Sequence, residues 1–200
     1  MTVPVESIQA AVAAQRAVAE TFLSRLAAET PDPEGGAHRD SYGAGEDRAH
    51  ALFAETARGL GLVLHRDAAG NSYATLSGAD ADAAAVVIGS HLDSVPRGGA
   101  FDGAAGVAAG LAICAALGAL GGRLPHDVTV MAIRAEESIW FPCSYIGSRS
   151  ALGRLPDGAL DSVRRVDTGR TLADHMEAAG CDLATLRRGA PSLDPARLRA

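Results

Sequence analysis

The sequence contains no lysine, and all 18 of its basic residues are arginine. That absence excludes Schiff-base chemistry, a pyridoxal-phosphate anchor and the phosphate-binding lysine of nucleotide-binding loops. Cysteine is scarce. Cys114, Cys143 and Cys181 are odd in number and widely spaced, so no disulfide framework or Cys-x-x-Cys site is expected, and a reducing cytoplasm fits best. No apolar run approaches the eighteen or so residues of a membrane-spanning helix, and the N-terminus lacks a basic region before an apolar stretch. Positive charge is never concentrated beyond the pairs Arg164-Arg165 and Arg187-Arg188, and the net charge is -6. Neither nucleic acid nor a membrane is therefore an expected partner.

What is present is a chain of 200 residues, 48% hydrophobic, long enough for one domain with its own core. Val5, Ile8, Val12, Val18, Phe22 and Leu26 recur at helical spacing and predict one amphipathic helix from Val5 to about Ala28. The Pro- and Gly-rich segment from Thr30 to Gly36 ends it, and a second helix is expected from Glu46 to Gly59. Short strands fit Leu62–His65 and Ser72–Leu76, joined by the turn-forming Asp67-Ala68-Ala69-Gly70-Asn71. Ala84–Gly89 and Asp127–Ile133 are nearly continuous apolar runs, as expected of strands covered on both faces, with an Ala-rich crossover helix from Gly103 to Leu120 between them. Gly103, Gly106 and Gly110 fall on one face of that helix and would let it approach the sheet closely. A short helix is expected around Leu172 to Ala179, and the tail from Gly189 carries no core pattern. The expected class is α/β, with a mainly parallel, doubly wound sheet flanked by helices.

Acidic residues and one histidine gather where this pattern places strand-to-helix turns. In open parallel sheets, ligands bind beyond the carboxyl ends of strands. His91 and Asp93 follow one apolar strand, Asp102 opens the crossover helix, and Glu136 and Glu137 follow the next strand. Imidazole and carboxylate together suit zinc, manganese or cobalt, whereas structural zinc usually recruits thiolates. Asp93, two residues beyond His91, can hold the imidazole in its metal-binding tautomer. Adjacent glutamates point in different directions, so one can bind metal while the other carries protons. His38, His50, His65, His126 and His175 have no second ligand nearby in sequence and are expected at the surface or in loops, while Cys143, Trp140 and Phe141 are expected to pack. Arg97 and Arg149 can bind a carboxylate through a bidentate contact, although solvent is the simpler expectation for both.

Gly89 through Gly106 and Arg134 through Gly153 resemble the di-metal amidohydrolase and peptidase family that includes aminoacylases and dinuclear dipeptidases. The sequence is most similar to its N-carbamoyl-L-amino-acid hydrolase and allantoate amidohydrolase (hydantoinase/carbamoylase) branch. The shared features are the short interval from His91-Leu92-Asp93-Ser94-Val95-Pro96 to Gly98-Gly99-Ala100-Phe101-Asp102-Gly103, the Asp67–Asn71 turn and the run Ile146-Gly147-Ser148-Arg149. The resemblance implies a zinc-peptidase type, phosphorylase/hydrolase-like fold and two divalent ions, zinc ahead of manganese or cobalt. It assigns His91 to one ion, Asp102 to both and Glu137 to the second. It also implies Glu136 as general base and acid, Asp93 behind His91, and a cis peptide after Asp102.

The implied reaction is hydrolysis of a small linear amide or ureido substrate of the N-carbamoyl-L-amino-acid or allantoate type. Where members commonly read Glu-Glu-Gly, this chain reads Glu136-Glu137-Ser138-Ile139-Trp140-Phe141, which keeps the carboxylates and alters their surroundings. Members are also about twice as long, with further metal ligands and a dimerising lid domain beyond the region matched. Residues 1–200 then correspond to the N-terminal portion of the catalytic domain of a homodimer. Two other readings stand beside this one: a non-catalytic fragment lacking ligands, and a dipeptidase or aminoacylase of the same family.

Overall fold

Apolar side chains at helical spacing form the first layer, but in two pieces. The computed structural model describes residues 4–80, 82–121 and 124–199. It divides the expected first helix into α1 (Val5–Ala14) and α2 (Arg16–Glu29) at Gln15, whose backbone N–H turns back to Val12 at 3.1 Å. The reason is anchoring: α2 buries Phe22 and Leu26, whereas α1 buries no residue and leaves Val5, Ile8 and Val12 exposed. Then follow α3 (Ala44–Gly59), β1 (Val63–Arg66), β2 (Ser72–Leu76), β3 (Val86–His91), α4 (Ala104–Ala119) and β4 (Val128–Ile133). The C-terminal part adds α5 (Ile146–Ala151), α6 (Ala159–Ser162), α7 (Leu172–Ala178), α8 (Leu183–Arg187) and a 3-10 turn at Pro195–Arg197. Of these, the sequence pattern foresaw α7; the others are too short for a periodic signal.

The four strands are ordered β1-β2-β4-β3. The expected α/β class with an open, helix-flanked sheet holds, but the sheet is mixed rather than mainly parallel. β1 pairs β2 and β2 pairs β4 antiparallel, and β3 alone pairs β4 in parallel. Parallel neighbours need a crossover, and among the described residues α4 is the one helix joining consecutive strands; the short Asp67–Asn71 turn forces a hairpin instead.

Strand alternation sorts the side chains. Ala74, Val128, Val130 and Ala132 face a core completed by Phe22, Leu26, Leu52, Phe53, Val107 and Leu111, so α2, α3 and α4 cover one face. Tyr73 and Met131 point to the other, where they meet Ala151 of α5 and Leu193 of the tail. The glycine face of α4 makes the expected close approach: a Cβ on Gly106 would lie 2.6 Å from the Ser90 Cβ, and one on Gly110 2.8 Å from a Val130 methyl. Gly110→Val should therefore lower stability by about 1–3 kcal/mol through overpacking, read as an earlier urea midpoint; an unchanged midpoint would contradict this packing.

His50 and His175 are buried, contrary to the expectation that they lie at the surface or in loops. α3 carries His50 inward, where its Nδ1 lies 2.8 Å from the Ser72 hydroxyl. Burial, with Arg134 and Arg66 nearby, holds the imidazole well below its ordinary pKa of 6.5. Folding thus favours neutral His50, and the unfolded chain binds the proton first. Its contribution is complete above about pH 6.5 and falls below that by about 1.4 kcal/mol per pH unit. The stability difference between the wild type and His50→Asn should shrink as the pH falls from 7 to 5 in urea titrations. A difference that does not change with pH would show that His50 accepts a proton without cost.

Candidate metal centre

Parallel pairing of β3 with β4 sets His91 opposite Ile133, so the chain leaving each strand enters the same edge of the sheet. Asp102 arrives there from the turn before α4. That turn requires Gly103, with φ of 64°, because a Cβ would come within 2.5 Å of the His91 carbonyl and 2.6 Å of its imidazole. His91 Nε2 lies 3.9 Å from Asp102 Oδ1 and 3.9 Å from Glu137 Oε1. One ligand atom from each of the three residues falls within 4.8 Å of the others. Ligands of one zinc ion in a tetrahedron are about 3.4 Å apart, so His91 and Asp102, the pair that the resemblance assigns to a common ion, are about 0.5 Å wide of that. The donor set and spacing fit a divalent cation, with the imidazole partly buried and Asp102 open to solvent.

Asp93 is fully buried behind this trio. Its carboxylate accepts the Glu136 and Glu137 backbone N–H groups, both at 3.1 Å, and the Ser41 hydroxyl at 2.6 Å. Toward His91, the Asp93 carbonyl lies 3.0 Å from Nδ1 and the carboxylate 3.4 Å. Burial disfavours the imidazolium, but the Asp93 carboxylate and carbonyl and the Asp102 charge outweigh it and bring the imidazole up to about 9. Glu136 points to α5, where the Ser148 backbone N–H and hydroxyl donate to its two oxygens at 2.8 and 3.0 Å. Burial raises the Glu136 carboxyl above its ordinary value, and the Ser148 donors pull it back. Burial raises Glu137 as well, with His91 opposing. The adjacent glutamates thus do separate in direction and environment. Among the described residues there is no cis peptide, so the bond after Asp102 is trans, contrary to expectation; the positive φ of Gly103 turns the chain there.

Several residues that brace the site were not singled out from sequence. Glu46, fully buried at the start of α3, accepts the Tyr42 N–H at 2.7 Å, the Ala135 N–H at 2.8 Å and Arg134 Nη1 at 2.9 Å. It thereby secures Ala135, whose φ of 51° is uncommon for a residue with a Cβ and turns the chain from β4 into the glutamates. Burial pushes the Glu46 carboxyl up to about 7, against the pull of Arg134. Asn71 accepts the Arg134 N–H at 2.9 Å and donates to the Gly147 carbonyl at 3.1 Å, tying the hairpin turn to β4 and α5. A Cβ on Gly147 would lie 2.1 Å from the Arg134 carbonyl, so α5 can reach Glu136 only with glycine there. Acidic residues at a helix start, Glu46 with Asp47, were the available signal, and there they ordinarily read as favourable charge placement.

The remaining candidates stand apart from the trio. His38 pairs with Asp32 at 3.3 Å, His175 Nε2 lies 2.9 Å from Thr168 Oγ1, and Arg97 pairs with Glu34 at 2.8 Å. Trp140 and Phe141 are core, as expected, and Trp140 Nε1 donates to the Ser94 carbonyl at 2.7 Å.

Comparison with known proteins bears on the same segments. The model of Peptidase family M28 matches residues 71–165. An N-carbamoyl-L-amino acid amidohydrolase of Geobacillus stearothermophilus is 42% identical over 150 residues, which are 75% of this chain and 36% of the relative. A hydantoinase/carbamoylase family amidase from Burkholderia ambifaria superposes with a TM-score of 0.76 at 36% identity, over 83% of this chain and 41% of that structure. In sequence and in fold the chain is similar to the hydantoinase/carbamoylase amidohydrolases. An allantoate deiminase of Glycine max is similar as well, 34% identical over 57% of the chain and 24% of its own length. The chain spans little more than a third of the length of the Geobacillus relative. Among the described residues no helix is long and apolar enough to cross a membrane.

Removing Glu46 would leave Arg134 buried without one of its two carboxylate partners. Glu46→Ala should cost about 3–5 kcal/mol, measured by urea unfolding; a loss under about 1 kcal/mol would show that the pair does not secure the turn.

Proposed function

We propose that the protein is a metal-dependent amidohydrolase acting on a small linear amide or ureido compound, of the N-carbamoyl-L-amino-acid or allantoate type. The observation that carries this reading is the convergence of His91, Asp102 and Glu137 within 4.8 Å, with Glu136 held separately by Ser148. His91 would hold one divalent ion, Asp102 both and Glu137 the second. Zinc suits this nitrogen and oxygen donor set best, and manganese or cobalt would also be accepted. When bound, such ions supply Lewis acidity and make water more acidic.

The protein groups divide the remaining work. Glu136, lifted by burial above its ordinary value, takes a proton from the attacking water and returns it to the departing nitrogen. Ser148 orients that carboxylate through both of its oxygens. Asp93 keeps His91 in register with the glutamates through its main-chain contacts. For a carbamoyl substrate the products are ammonia, carbon dioxide and the free amino acid. Residues 1–200 act in this account as the N-terminal portion of the catalytic domain of a cytoplasmic homodimer. The share of the relatives that the chain matches supports only its correspondence to part of such an enzyme.

The test is an assay of the purified protein, reconstituted with zinc or manganese, on N-carbamoyl amino acids, allantoate and dipeptides. Glu136→Gln should lower kcat by about 10²–10⁴ while binding metal as the wild type does. Ser148→Ala should lower kcat by a smaller factor with KM little changed. Unchanged turnover in Glu136→Gln would sink the assignment. Turnover of dipeptides alone would move the protein to the peptidase side of the family, and no turnover with metal bound would favour a non-catalytic remnant.

A further inference from the structure

Arg39 is the largest fully buried side chain of the described residues, and no carboxylate lies within ion-pair distance of it. Its Nε donates to the Leu92 carbonyl at 2.6 Å and its Nη2 to the Asp102 carbonyl at 3.0 Å. Nη1 is buried and has no hydrogen-bond partner among the described residues. A cation placed in this way costs several kcal/mol of desolvation, which a well-packed apolar side chain would avoid. The charges that offset it are the carboxylates of Asp102 and Asp93. The two carbonyls belong to the residue after His91 and to Asp102 itself, on the two segments that bring those side chains together.

The main chain around Arg39 is fastened to the same loop. The Arg39 N–H donates to the Ser94 hydroxyl at 3.0 Å, and the Ser94 N–H donates to the Arg39 carbonyl at 2.8 Å. Ala37 and Gly98 exchange N–H to carbonyl bonds at 2.9 and 3.0 Å. Two positions further on, Ser41 donates to the Asp93 carboxylate. The segment leading into α3 is thus a brace along the His91 loop, and Arg39 is its reach across to the Asp102 turn.

We propose that Arg39 is a positioning residue of the metal centre, setting the separation of His91 from Asp102 by bridging the main chain at Leu92 and Asp102. The planar guanidinium suits this role because its donors diverge in a fixed geometry, which an ammonium on a flexible stem does not reproduce. This inference rests on the metal-centre reading above.

The experiment is calorimetric titration of the chelator-stripped, purified protein with zinc and with manganese, for the wild type, Arg39→Met and Arg39→Lys. Far-UV circular dichroism and metal-free melting are recorded for each. Arg39→Met, where folded, should bind about 10- to 100-fold more weakly, and Arg39→Lys should recover only part of that loss. A merely structural arginine would lower the metal-free melting temperature and leave the affinity of the folded protein unchanged, which would overturn the proposal. If Arg39→Met does not fold, Arg39→Lys decides: wild-type affinity overturns the proposal and a loss of about tenfold supports it. No metal uptake by the wild type would defeat the metal-centre reading itself, and this inference with it.

Discussion

The carboxylate of Asp93 joins the two halves of the site. It leaves the end of β3 and accepts the backbone N–H groups of both glutamates that follow β4, while its own carbonyl meets the His91 ring. A buried carboxylate is tolerable only when its oxygens are satisfied, and here two amides and the Ser41 hydroxyl satisfy them. Those donors come from segments far apart in sequence. Folding cannot shelter Asp93 without also bringing His91, Glu136 and Glu137 to one edge of the sheet.

Around that carboxylate lies a polar scaffold unusual for a small core. Arg39, Glu46 and Arg134 are all buried, yet each bonds mainly to backbone or to another buried charge. Hydrophobic burial of α2, α3 and α4 against the sheet supplies the general drive to fold. The buried polar contacts decide something narrower, namely the paths of two turns. Ala135 at φ 51° and Gly103 at φ 64° are backbone conformations that local preference does not select for a continuing strand or helix. Glu46 stabilises the first, and contact with His91 accompanies the second.

How much of this could be read beforehand differs by level. The strands and α4 were legible because apolar runs and a glycine face are local patterns. His91, Asp93, Asp102, Glu136 and Glu137 were legible because metal-binding residue types recur just beyond strands, and the structure brings His91, Asp102 and Glu137 together. Sheet polarity was misjudged, since a hairpin and a crossover helix were weighed as if the second were the rule. Arg39, Glu46, Ser148 and Asn71 were passed over for a common reason. Each acts across 12 to 89 residues; Arg39, Glu46 and Asn71 do so on backbone groups, which leave no mark on the identity of the partner, and Ser148 uses its own backbone N–H as well as its hydroxyl to hold Glu136.

The central claim is that one imidazole and a set of carboxylates, with no thiolate, form the metal centre. X-ray absorption at the zinc edge of the zinc-loaded protein tests it most directly. The account predicts a first shell of nitrogen and oxygen at about 2.0–2.2 Å with a single imidazole signature, lost in His91→Ala. A sulfur shell at about 2.3 Å, or a spectrum that His91→Ala leaves unchanged, would contradict it.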